Sequence, residues 1–129
     1  MSSKKAPRSL NFDAVRVIAM ALPDVEETTV YGMPAFKAGT RRFVGRPVPR
    51  EDIEPDTIGI AVSIAEREKL LATRPDLYYL TPHFRNYPAV LLRLPKVRRE
   101  ELQDILVMSW QYAMEKGPAR KKKKPSPRR

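Results

Sequence analysis

The chain has 129 residues and no cysteine, which allows one ordinary domain and removes disulfide frameworks and thiolate metal sites. A single histidine argues against structural zinc as well, because zinc favours several nitrogen or sulfur ligands, and no metal or cofactor is expected. The net charge of +10 sits at the two ends: Lys4, Lys5, Arg8, Arg120, Lys121, Lys122, Lys123, Lys124, Arg128 and Arg129 flank a centre in which the remaining 15 basic residues meet all 15 acids. No apolar run approaches a membrane span. Asp13 and Arg16 interrupt the segment after the polar start, so it does not read as a signal peptide and a cytoplasmic protein is expected.

Residues 1–9 read as a disordered basic leader. Ser9 or Asn11 is suited to cap a helix over Asn11–Ala21, in which Phe12, Val15, Ile18, Ala19 and Leu22 recur at helical spacing, with Asp13 in the first turn and Pro23 as the stop. Glu26–Tyr31 reads as a strand that Gly32-Met33-Pro34 breaks. Ala35–Ala38 and Arg41–Gly45 form a hairpin about Gly39-Thr40, with Phe36 and Phe43 inward. Residues 47–56 hold three prolines, four acids and Arg50, and read as an exposed loop tolerant of change. Thr57–Val62 is an apolar strand. Ser63-Ile64-Ala65-Glu66 has the form of a capping box and opens a helix over Ile64–Thr73 that buries Leu70 and Leu71, ended by Pro75.

Leu77–Leu80 reads as a weak strand. A rigid polar connection with His83, Arg85 and Asn86 follows between Pro82 and Pro88, because each proline locks its own φ and extends its predecessor. Ala89–Leu94 is a strong core strand. Arg99–Glu115 reads as a third helix with Leu102, Ile105, Leu106, Ser109, Trp110 and Ala113 on one face, and Gly117-Pro118 as its stop. The chain then divides into a leader (1–9), one domain (10–116) and a disordered basic tail (117–129). The order helix, three or four strands, helix, one or two strands, helix predicts an α+β two-layer sandwich with a mainly antiparallel sheet.

Val30-Tyr31-Gly32-Met33-Pro34-Ala35-Phe36-Lys37, Arg42-Phe43, Leu80-Thr81-Pro82-His83-Phe84 and Arg93-Leu94 together resemble the MmcQ/YjbR-like family. Phe12-Asp13-Ala14-Val15 and Ala21-Leu22-Pro23 fit the same pattern. That family comprises small bacterial α+β proteins commonly described as candidate DNA-binding proteins. The resemblance spans roughly Leu10–Lys116, leaves both basic ends outside, and implies the fold and, by fold-level analogy, DNA binding. Two departures stand out: the family often carries tryptophan near Ala89–Val90, and the 47–56 loop is more elaborate here.

Lys37, Arg41 and Arg42 on the hairpin, with His83, Arg85 and Asn86, are the domain's candidates for contacts to nucleic acid; the alternative is a solvated turn or surface for the cations and Asn86, and for His83 a hydrogen bond to the backbone of its own loop. Gly32 and Pro34 read as a bend at a sheet edge. Tyr78, Tyr79, Phe84 and Tyr87 are suited to base stacking but read first as packing, and Trp110 as core. No nucleophile motif accompanies His83, so no catalytic residue is assigned. Lys121, Lys122, Lys123, Lys124, Arg128 and Arg129 favour non-specific phosphate contacts through counterion release.

The expectation is a nucleic-acid-binding protein, DNA before RNA, with the tail supplying most affinity and no membrane contact. The alternatives are a protein-interaction module, monomer or homodimer, and a small-ligand binder or enzyme in which Tyr31, His83 and Arg85 converge on a pocket.

Overall fold

The computed structural model describes residues 10–122, with side chains described through Glu115. In chain order its elements are α1 (Phe12–Met20), β1 (Val25–Val30), β2 (Met33–Ala38), β3 (Arg41–Gly45), β4 (Thr57–Ala61), α2 (Ile64–Thr73), β5 (Tyr78–Tyr79), β6 (Ala89–Arg93) and α3 (Arg99–Lys122), with 3₁₀ turns at Pro82–Phe84 and Leu94–Lys96. The strands form one antiparallel sheet in the order β1-β2-β3-β4-β6-β5. The fold is therefore the α+β sandwich expected from the order of elements. No helix among the described residues is long and apolar enough to cross a membrane.

Local chemistry starts and stops these elements. The Asn11 side chain accepts a hydrogen bond from Ala14 N at 3.3 Å and opens α1. Ser63 Oγ accepts from Glu66 N at 3.1 Å and opens α2, while the Glu66 carboxylate lies 3.6 Å from Lys69. The β1–β2 connection is Tyr31-Gly32, both at positive φ (52° and 79°) between the paired Val30 and Met33. Such a turn matches strand twist, and Gly32 is its natural second residue. Pro34 lies within β2, paired with Thr29.

One boundary differs from the sequence reading. Helix α3 continues through Gly117-Pro118 to Lys122 instead of stopping at Glu115. Glycine and proline are both unfavourable inside a helix, proline through its missing donor and its ring clash, and no contact among the described residues accounts for the helix running through them. Residues 123–129, and with them Lys123, Lys124, Arg128 and Arg129, lie outside the described residues, as do the side chains of Lys121 and Lys122.

The sheet register separates two faces. Phe36 pairs with Val44, Val44 with Ile60, Ile60 with Val90, and Ile58 with Leu92, so these residues share one side. All are buried in a single core with α1 and α3 residues including Val15, Leu102, Ile105 and Leu106. Between β2 and β3 the register slips: Phe36 faces Val44 but Lys37 faces Arg42, leaving Phe43 as an extra residue in β3. The bulge lets adjacent Phe43 and Val44 both enter the core, each 1% exposed, which a regular strand forbids. Ser109 of α3 reaches this point, its hydroxyl lying 2.8 Å from Phe43 O and 2.6 Å from Ala61 O, and so ties the helix to two strands at once. Trp110 Nε1 donates to Pro23 O at 2.8 Å, which holds the end of α1 against α3.

Candidate functional site

The opposite sheet face carries small residues. Ala35 pairs with Gly45, Gly45 with Gly59, and Ala61 with Ala89. These five positions floor a cleft of about 640 Å³. The hollow follows from the sequence: side chains at alternate positions share a face, and here that face holds two glycines and three alanines. Gly45 is required by packing, because a Cβ there would sit 2.8 Å from Ala35 Cβ. Gly59 is not so confined, since a Cβ would meet its nearest atoms at 3.8 and 3.9 Å.

Two loops wall the cleft. From 47–56 come Pro47, Val48 and Arg50; from 81–88 come His83, Phe84, Tyr87 and Pro88. The first loop, expected to be a tolerant exposed segment, is anchored. Tyr79 Oη accepts from Glu54 N at 2.9 Å and lies 2.7 Å from Thr57 Oγ1. Arg93 Nε donates to Glu54 at 2.9 Å, and its guanidinium lies 4.5 Å from the Tyr79 ring centre. The Arg93 hydrogen bond lowers the Glu54 pKa, and the same bond raises that of Arg93.

The second loop is held by Arg67 of α2, 5% exposed, whose Nη1 donates to Tyr87 O at 2.8 Å and Arg85 O at 3.1 Å. Three carbonyls of one turn converge on this guanidinium, with Phe84 O at 3.5 Å. Charge-assisted bonds of this kind fix a loop that has no regular pairing of its own. On this scaffold the rings of His83, Phe84 and Tyr87 form a cluster with centroids 4.9 to 6.4 Å apart.

The cleft's charge is one-sided. Arg41, Arg42, Arg46 and Arg50 line it with His83 and three tyrosines, and among the described residues no aspartate or glutamate does. Arg46 is committed elsewhere, its guanidinium lying 5.1 Å from the Phe12 ring centre. Arg41, Arg42 and Arg50 form no ion pair with a carboxylate among the described residues, and Arg41 Nε is buried without a hydrogen-bond partner there. Several cations elsewhere are paired, Arg16 with Asp13 and Glu27 and Arg74 with Asp76 and Glu101. Tyr31, 90% exposed, and Tyr87, 52% exposed, stand at the rim.

Of the sequence candidates, Arg41, Arg42 and His83 thus meet in one cleft, with Tyr31 and Tyr87. Lys37 instead pairs with Glu26 at 3.6 Å, outside the cleft. Arg85 and Asn86 are exposed on the wall loop and do not line it, so Tyr31 and His83 converge while Arg85 does not. Sequence reasoning missed Arg50 and Arg67. Arg67 had a readable signal, since it sits three and four residues before Leu70 and Leu71 on the face α2 turns inward. Arg50 had none beyond being the lone cation of an acidic loop.

No family model matches the chain. Over 80 residues it is 38% identical to the uncharacterised protein Rv2570 of Mycobacterium tuberculosis and equally to the uncharacterised protein Mb2600 of Mycobacterium bovis. The alignment covers 59% of this chain, and the chain spans 62% of the length of these curated relatives. Among solved structures it is similar to the crystal structure of Deinococcus radiodurans protein DR2400, described as a DUF419 domain. The TM-score is 0.68, the identity 21%, and 89% of each chain is covered. That likeness establishes the fold.

Proposed function

We propose that the chain binds nucleic acid through this cleft, with Arg41, Arg42 and Arg50 on phosphates and the aromatic wall beside the bases. The observation that supports this reading is a cleft lined by arginines and tyrosines, with no carboxylate among the described residues, in a domain whose charges sum to zero overall. Segregated cations over a low-dielectric floor raise local potential and draw in anions. Guanidinium suits phosphate because its planar fork donates two parallel hydrogen bonds. The resemblance to MmcQ/YjbR-like proteins agrees with this reading, and the basic ends add non-specific counterion release to it.

The test is fluorescence anisotropy of labelled oligonucleotides over a salt series, with full-length protein, Arg41→Ala, Arg42→Ala, and protein lacking residues 120–129. Affinity should fall steeply with salt, and each arginine variant should flatten the log–log slope by about 0.7 to 0.9, because one phosphate fewer is neutralised. Unchanged binding in both arginine variants removes the cleft from the mechanism. If deleting residues 120–129 leaves affinity and slope unchanged, the tail plays no part.

A further inference from the structure

The cleft's shape says more about the ligand than its charge does. A duplex hides its base faces in the stack and offers phosphates on a convex surface, so it gains nothing from a recessed apolar floor. Here the floor of Ala35, Gly45, Gly59, Ala61 and Ala89 lies below rings on the wall, and the cations stand around it. A volume of about 640 Å³ falls within the range of pockets that bury a small organic ligand. Arg41, with its buried and unpartnered Nε, lines the same space, and a buried donor calls for an acceptor.

On the reading that the ligand is nucleic acid, we infer that the cleft takes one unpaired base together with its phosphate, so that the protein selects single strands over duplex. The base enters between the floor and the His83–Phe84–Tyr87 wall, where stacking is indifferent to base identity. The phosphate stays at the mouth, within reach of the arginines. Tyr31, raised on the tip of the β1–β2 turn, is placed for the neighbouring base.

Gly59 permits a direct test, because its surroundings admit a Cβ and a larger side chain there would rise from the floor. Full-length protein, Gly59→Val and Tyr87→Ala are compared by anisotropy on a labelled oligothymidylate and on a duplex of equal length at one salt concentration. Adenosine monophosphate and inorganic phosphate serve as competitors, and thermal melts confirm folding. The wild type should prefer the single strand by about tenfold or more, the range a base–ring stack supplies. Both variants should lose that preference, their single-strand affinity falling to the level of duplex, and the nucleotide should compete better than phosphate. Equal affinity for both forms in the wild type, or a preference that survives in both variants, overturns base capture while leaving phosphate binding intact. Absence of binding to either form overturns the nucleic-acid reading itself.

Discussion

The same strands build two unlike faces. Toward the helices, Phe36, Val44, Ile58, Ile60, Val90 and Leu92 interdigitate with α1 and α3 and leave no room. Away from them, Ala35, Gly45, Gly59, Ala61 and Ala89 leave a hollow that two anchored loops enclose. Apolar bulk on one side of a pleat and its near absence on the other, repeated over neighbouring strands, separates the surface that stabilises the fold from the surface free to bind. Charge adds to the contrast: Arg41, Arg42 and Arg50 around the hollow form no ion pair among the described residues, while Arg16, Arg74 and Arg93 elsewhere do.

The comparison is broken hardest on the helix side. Phe36→Ala empties a fully buried site and should destabilise by about 3–5 kcal/mol in urea titration. Arg67→Met strips three carbonyls of their common donor and should cost about 2–3 kcal/mol in the same assay, with weakened binding as the 81–88 wall loosens. Arg67→Lys should restore part of the loss, because Nη1 alone makes all three contacts and an ammonium also carries three donors.

The two floor glycines sharpen the contrast within one face. Gly45→Ala should destabilise by about 1–3 kcal/mol, since its Cβ must push Ala35 aside. Gly59→Ala should be neutral or mildly stabilising, because a strand glycine loses more entropy on folding than alanine.

The smallest effect concerns pH and lies away from the cleft. Hydrogen bonds from Arg74 hold Asp76 and Glu101 below their usual carboxylate range. A lowered folded pKa stabilises above the unfolded value, and that contribution disappears as pH falls through the folded one. Arg74→Gln should therefore lower the neutral region of a stability profile slightly, because these exposed groups are screened by solvent, leave the low-pH end unchanged, and so flatten the acid limb between them. At the alkaline end, burial pushes Tyr78 up to about 12, so stability is lost as pH rises from the ordinary tyrosine range toward that value.

Much of the fold was legible because periodicity and punctuation agree in this chain. Asn11 and Ser63 cap where they should, and the alternation in β2 announces Phe36 as inward. What alternation cannot reveal is the β3 bulge, since Phe43 and Val44 point inward together only through their pairing with β2. The stop at Gly117-Pro118 was not observed, since α3 runs on to Lys122, and no contact among the described residues accounts for it.

For the site, Arg41, Arg42 and His83 could be chosen by residue type, whereas their meeting required the β4–β6 register. Lys37 looks identical to them in sequence and is removed by one neighbour across the strand, Glu26.

The central claim is that the small-residue face of the sheet is the binding face. It is tested most directly by mapping amide chemical-shift changes in full-length protein as an oligothymidylate is added. The account predicts perturbations at Gly45, Gly59, Ala61, Tyr87 and the Arg50 loop, with little change at Leu102 and Leu106. Perturbations confined to residues 117–129, with the sheet amides unmoved, would contradict it.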